Sequence, residues 1–450
     1  MDFEETEVMT NRKTNTLEAS MLRLTVLTCL LLLAVAGPAW SVPQIMTEYG
    51  DQMPWLGADI NAMGGTGAAL YRGGMSNIFN PAFLATSTSH RLDLGVSLDQ
   101  EHEDRFQPLY DTFDNVVTDV SIASNRHHYW QTGFGLVIHE PIGDFPLSVG
   151  VSLADRYPYS YTFEEELRDP SFASDPRDAI IEERIRKVTG TLRAASLGLG
   201  FGATDWLSVG ATVNYAFGTR SETKSRRMYT GDVDGTNEQY DFDMDGVNFV
   251  LGLRGKVSER LELGVAYESA LTASGTADLA YHEARNDGAP DTDSSASIDD
   301  AYYRYPSIYR AGFTFYPQTD PRTVFTAEME YIGWNEFEDS LNPALYEGDK
   351  LEKVVDVRIG LEHTFYNGVP LRFGFRHLNS YVDKNADSTI FTGGTGVPFG
   401  SGMFAASVEI IKITSFQEHQ FPYPDGYLTE PIARVEDTRF RISVGYTVNW

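Results

Sequence analysis

The last twelve residues, RFRISVGYTVNW, alternate without a break. Phe440, Ile442, Val444, Tyr446, Val448 and Trp450 fall on one side, and Arg439, Arg441, Ser443, Gly445, Thr447 and Asn449 on the other. Period two over this length reads as a β-strand with one face suited to lipid and the other to water. The rhythm recurs upstream in Leu207, Val209, Ala211, Val213, Tyr215 and Phe217, then in Leu261, Leu263, Val265 and Tyr267. Phe325, Ala327, Met329 and Tyr331 repeat it, as do Val355, Val357, Ile359 and Leu361, and Leu371, Phe373 and Phe375. Followed along the chain, the pattern predicts fourteen strands near 90–100, 128–139, 145–157, 189–202, 206–218, 241–254, 260–272, 304–316, 322–334, 352–366, 370–380, 388–399, 403–414 and 438–450.

Their connections alternate between short turns, such as Thr204-Asp205, Asn367-Gly368 and Gly400-Ser401-Gly402, and loops that mostly exceed fifteen residues. Short periplasmic turns and long external loops mark an outer-membrane barrel. A soluble sandwich alternates too, but nothing makes its connections switch so regularly, and no blade-length repeat supports a propeller. Past Val42 no apolar run is long enough to cross a bilayer as a helix, so strands must do so, and barrel closure satisfies their backbone polar groups in lipid. The expected fold class is all-β: a transmembrane antiparallel barrel in a bacterial outer membrane, spanning 90–450. Its terminal aromatic strand, Phe440 to Trp450, resembles the signal read by the barrel-assembly machinery.

Composition narrows the partners. With 35 basic against 64 acidic residues and a net charge of −29, the chain carries no basic face for nucleic acid. Residues 21–41, MLRLTVLTCLLLLAVAGPAWS, have an arginine start, an apolar core and small residues before Val42, the layout of a secretory signal peptide. The acidic residues 1–20 are wrong for such a start, so translation is expected to begin at Met21, leaving 1–20 as an upstream annotation artefact. The sole cysteine, Cys29, lies inside the apolar core, which leaves the mature chain without disulfides, thiolate metal sites or a cysteine nucleophile.

Opposite the apolar faces sit charges: Glu328 and Glu330, Asp356, Arg358 and Glu362, Arg372 and Arg376, and Arg441. In a barrel these share the lumen, where Glu328 or Glu362 can pair with Arg358 or Arg372. They read either as a selectivity ring or as a salt-bridged scaffold, and the scaffold is favoured because such lumens are polar by default. Asp241, Asp243, Asp245 and Gly246 copy half of a calcium loop, but Gly252 stands where the closing carboxylate belongs, so solvated charge at a strand start is favoured. DPRDAIIEERIRKV, with Ile180, Ile181 and Ile185, predicts a short helix across the barrel mouth. No Ser/His/Asp set and no metal-spaced histidine cluster appears, and His127-His128 reads as interfacial. The chain is therefore expected to be neither an enzyme nor a cofactor or metal binder.

One stretch stands apart from the strands. GGTGAALYRGGMSNIFNPAFLA, Gly64 to Ala85, resembles a phosphate loop in its glycines, yet Leu70 replaces the third glycine of G-x-G-x-x-G and no lysine follows. With GADINAM before it, this stretch resembles the N-terminal hatch of the FadL-type outer-membrane transporters of long-chain fatty acids and other hydrophobic compounds. Gly64, Gly65 and Gly67 match the glycine cluster, and Asn80-Pro81-Ala82 the Asn-Pro-Ala signature. TDWLSVGATVNYAFG, VSERLELGVAYES and YPSIYRAGFTFYP with EYIGW are similar to other phrases of that family.

The resemblance implies a hatch over 42–89 plugging a fourteen-stranded barrel. It further implies passive import of a hydrophobic small molecule, such as a fatty acid or aromatic hydrocarbon, with lateral exit where the third strand kinks inward. In this chain Asp155, Arg156 and Pro158 end that strand and are the expected gate residues, since a charge pair followed by proline disrupts ladder pairing. The family also contains non-transport barrels that shuttle or anchor secreted proteins. The polar segments 219–240 and 273–303, with little for an alkyl chain beyond Leu279 and Tyr281, keep that alternative open.

Overall fold

The computed structural model describes residues 49–50, 57–110, 113, 115–143, 145–168, 179–317, 322–342, 351–423 and 432–450. The expectations for 1–20, for the signal peptide with Cys29 and for the first residues of the hatch lie outside the described residues.

Eighteen strand pieces join in a single sheet: β1 Arg91–Tyr110, β2 Val116–His139, β3 Leu147–Pro158, β4 Tyr161–Arg168, β5 Ile180–Gly202, β6 Leu207–Met228, β7 Val233–Ser258, β8 Leu261–Glu268, β9 Leu271–Arg285, β10 Thr292–Tyr305, β11 Ile308–Phe315, β12 Thr323–Ile332, β13 Glu338–Asp339, β14 Val354–Thr364, β15 Pro370–Leu378, β16 Ser388–Phe399, β17 Gly402–Glu418 and β18 Ile432–Asn449. Four wall strands are each broken in two, as β3/β4, β8/β9, β10/β11 and β12/β13, so the ring is a fourteen-stranded antiparallel barrel. It closes where β1 pairs with β18 from Arg91↔Asn449 to Phe106↔Arg434. His90 and Trp450 exchange two backbone hydrogen bonds of 3.2 Å beside that seam, which brings the start of the barrel to its end. A closed, apolar-faced barrel of this kind satisfies its backbone in lipid and places the protein in the bacterial outer membrane.

Side chains sort as the alternation predicts. On β18, Phe440, Ile442 and Val444 face outward and are exposed, whereas Arg439, Arg441 and Ser443 are buried inside. On β6, Val213, Tyr215 and Phe217 face outward while Thr212, Asn214 and Ala216 are buried.

Strand extents differ from the sequence reading on the external side. Segments 219–240 and 273–303, expected as loops, are mostly strand, for β6 and β7 pair as far as Arg227↔Gly235 and β9 and β10 as far as Glu283↔Thr292. Above the bilayer both faces meet water, so the apolar alternation that flags a strand disappears while Thr, Ser and charged cross-strand pairs still sustain the ladder. β7 has 26 residues, well over the ~10 that cross a membrane. The helix expected over DPRDAIIEERIRKV is likewise corrected: from Ile180 onward it is β5, with Glu182, Arg184, Arg186 and Val188 turned inward on a period of two. Cross-strand pairs Arg226–Glu182 at 2.5 Å and Arg186–Glu222 at 2.8 Å favour the ladder over the helix. Pro306 lies at the break between β10 and β11, inside the expected strand 304–316, which takes in β11 and the last two residues of β10.

Candidate functional site: hatch, lumen lattice and wall seam

Residues 57–87 fill the lumen. Two short helices, α1 Ala58–Asn61 and α2 Ser76–Phe79, and the 3-10 turns Gly73–Met75 and Pro81–Thr86 bury nearly all their side chains. Gly64 and Gly65 adopt φ of +69° and +76°, where a Cβ is strained, and a Cβ on Gly64 would lie 2.7 Å from the Phe375 carbonyl oxygen. The wall has glycines where the hatch approaches it. A Cβ on Gly264 would sit 1.9 Å from the Ala68 oxygen, and one on Gly374 2.0 Å from the Gly64 nitrogen. Hatch and wall therefore meet backbone to backbone.

The glycine-rich stretch does cradle an anion, but one supplied by the barrel itself. The backbone N–H groups of Gly67 and Ala68 both donate to Oε2 of Glu328, each at 2.7 Å. Thr392 Oγ1 accepts from Gly64 N at 3.1 Å and donates to Ala62 O at 3.0 Å. Asn80 caps the following turn, its Oδ1 accepting from Ala82 N at 3.1 Å. Its Nδ2 donates to Ala68 O, Leu253 O and Val265 O at 2.8, 3.0 and 3.3 Å, fastening hatch to wall. Pro81 then starts the turn, where its missing N–H removes no bond, and Ala82 is fully buried.

The predicted lumen charges form linked pairs. Arg358 reaches Glu328 at 3.1 Å, Glu330 at 2.7 Å and Asp356 at 3.8 Å. Arg372 binds Glu362 at 2.6 Å, Arg376 binds Glu409 at 2.7 Å, and Arg441 bridges Asp99 at 2.6 Å and Glu409 at 3.3 Å. Sequence reading missed Arg310 and Glu268, which face inward opposite the apolar rows of β11 and β8. Arg310 pairs with Glu330 and, at 3.0 Å, with Glu268, and donates to the hatch carbonyl of Ile78 at 3.1 Å. Their positions on the inward parity, opposite Tyr309 and Tyr267, were the signal available. The lattice cross-links hatch and wall, and a buried pair broken from one side leaves an uncompensated charge.

The wall is not uniform at β3. Its ladder with β2 runs only from His139↔Ser148 to Phe134↔Leu153, whereas its ladder with β5 continues to Pro158↔Thr191. A register shift between Asp155 and Tyr157 makes Arg156 a bulge residue, and every residue from Ala154 to Tyr161 is buried, so this segment leans into the lumen. Asp155 is held by Arg193 at 2.8 Å, Arg156 by Glu268 at 2.6 Å, and Pro158 ends the strand. Tyr157 stacks on Tyr305 with ring centroids 3.8 Å apart, inside an apolar cluster that includes Trp334, Phe337, Tyr381 and Tyr49. Beyond the gap, β4 returns to β2 through a side chain, Glu164 N donating to Asn125 Oδ1 at 2.9 Å.

Externally, a cavity of about 620 Å³ lies over this cluster, lined by Tyr49, Tyr240, Tyr281 and Tyr303 together with Arg220, Glu222 and other polar groups. Burial pushes the Glu222 carboxyl up, but the guanidinium groups of Arg186 and Arg220 outweigh it and hold the pKa at about 2. Asp241, Asp243 and Asp245 lie within β7 rather than in a loop, and among the described residues no cluster of three or more His, Cys, Asp or Glu offers a metal site.

Solved structures share this architecture. A Pseudomonas aeruginosa FadL homologue superposes with a TM-score of 0.61 at 14% identity, covering 89% of this chain and 99% of its own. The P. putida toluene transporter TodX gives 0.60 at 16%, covering 89% and 99%, and the Ralstonia pickettii toluene transporter TbuX gives 0.56 at 16%, covering 88% and 98%. No curated protein matches the sequence. The fold is thus that of the FadL-type barrels, and because the BamG family model matches residues 48–410, the chain belongs to the BamG family.

Proposed function

We propose that this barrel carries small hydrophobic molecules passively across the outer membrane, from the external cavity into the apolar part of the lumen and out sideways between β2 and β3. The observation that carries the reading is the parting of these strands beyond Phe134↔Leu153, with the buried rings of Tyr157, Tyr305 and Trp334 behind the gap. Asp155, Arg156 and Pro158 form the gate segment, and the hatch from Gly64 to Ala82 is the stopper. The architecture shared with toluene transporters supports the same reading. Ring-faced walls favour compact aromatic hydrocarbons over long-chain fatty acids, since the polar external cavity gives an alkyl chain little to lie on. Proteoliposomes should take up labelled toluene faster than oleate and faster than empty vesicles.

A second reading, a barrel that shuttles or anchors a secreted or surface protein, is favoured by one feature: the acidic β9–β10 extension, exposed throughout residues 287–300. No uptake of any apolar compound, together with co-purification of an exported protein, would select it.

A further inference from the structure

Arg156 is the one residue of β3 that the bulge releases from the ladder with β5. Its guanidinium crosses the lumen to Glu268 at the end of β8, Nη2 to Oε1, at 2.6 Å, and both side chains are almost wholly buried. Asn248 Nδ2 also donates to that oxygen, at 3.2 Å. The second oxygen of Glu268 is taken by Arg310 at 3.0 Å. Arg310 in turn holds the Ile78 carbonyl of the hatch and pairs with Glu330, and Glu330 shares Arg358 with Glu328, the residue that binds the Gly67 and Ala68 amides. An unbroken run of ion pairs therefore joins the bent wall segment to two points on the hatch.

We propose that Arg156 and Glu268 are positioning residues that couple the hatch to the β3 wall, so that loosening either end loosens the other. This rests on the import reading and concerns how its two barriers are linked. Glu268 is the joint, because each of its oxygens serves a different end. If β3 straightened to extend its ladder with β2, Arg156 would leave Glu268, and Arg310 would be drawn further towards Glu268 and away from Glu330, which Arg358 also binds, while still carrying Ile78. A change in the balance at one end must appear at the other, as linkage between two sites is reciprocal. The arrangement supplies a contiguous physical chain, and coupling itself is what has to be measured.

Hydrogen exchange on the full-length protein in nanodiscs tests it without any substrate. Arg156→Met, altered only in the wall, should speed exchange of hatch amides around Ile78–Asn80 on the order of tenfold, within the usual range of coupling between sites. Glu328→Gln, altered on β12 where the wall holds the Gly67 and Ala68 amides of the hatch, should do the same for Tyr159, whose amide bonds the Gly190 carbonyl. Arg156→Lys, which keeps the charge, should return the hatch to near wild-type exchange. Arg441→Met breaks an equally buried pair of contacts, those with Asp99 and Glu409, and it should leave Tyr159 unchanged. Should Arg156→Met fail to fold by heat-modifiable mobility, Glu268→Gln serves in its place and should loosen both ends. Effects confined to the altered end, or equal transmission from Arg441→Met, would overturn the coupling. Reciprocal exchange in a protein that takes up no apolar compound would keep the coupling and sink the import reading, whereas uptake with purely local exchange would do the reverse.

Discussion

Glu328 holds the hatch through Gly67: one carboxylate oxygen accepts the Gly67 and Ala68 amides at 2.7 Å while the other meets Arg358 at 3.1 Å. Two amides and a guanidinium satisfy one buried anion, and two orphan donors of a tight turn are satisfied in return. Glu328→Ala removes the acceptor and strands Arg358, so its loss should destabilise the hatch by about 3–5 kcal/mol. Limited proteolysis of the folded barrel checks this: the stretch from Gly64 to Ala85 should become cleavable while the strands stay protected.

Wall glycines opposite the hatch should tolerate no Cβ. Gly264→Ala puts a methyl group 1.9 Å from the Ala68 oxygen, whereas Gly255→Ala meets nothing within 4 Å. Overpacking of this kind costs about 1–3 kcal/mol. Cells carrying the first variant should admit a bulky antibiotic more readily, and those carrying the second should match wild type.

The external extension should be acid-sensitive in a defined window. Glu222 titrates near 2 when folded, below its ordinary 4.5, so its ion pairs with Arg186 and Arg220 contribute fully above pH ~4.5 and are lost as pH falls towards 2. Exchange of the β5–β6 amides should accelerate across that interval, and Glu222→Gln should flatten the response.

At the chain end, Trp450 pairs by backbone with His90 and lies tilted against its ring, centroids 5.6 Å apart. Removal of Trp450 should lower the heat-modifiable, folded fraction in outer membranes several-fold, if the terminal strand from Phe440 is what the assembly machinery reads. An unchanged folded fraction would assign the residue to the interface belt alone.

The wall was legible before any coordinates because lipid on one side and a polar lumen on the other impose period two on every crossing strand. Phe440 to Trp450 and Leu207 to Phe217 show it directly, whereas the inward charges could be placed on one side without settling whether Glu328 or Glu362 would meet Arg358 or Arg372. Above the bilayer that asymmetry ends, which is why β5, β6, β9 and β10 outran their predicted lengths and why a helix was expected at Ile180–Val188.

Which residues meet across the lumen was beyond reach of any local pattern. Arg156, Glu268 and Arg310 lie on three separated strands, 112 and 42 positions apart, and only closure of the barrel brings them within hydrogen-bond range. The glycines from Gly64 to Gly67 likewise announced a tight, crowded backbone, but that the Gly67 and Ala68 amides serve a carboxylate of the wall depends on where the hatch docks. By itself the sequence determined the barrel and its lipid-facing side, because solvent asymmetry acts locally on every strand, while a hatch was implied only by the family resemblance of Gly64 to Ala85. Only the tertiary structure decided how stopper and wall are joined, because long-range electrostatics depends on distances that the closed ring creates.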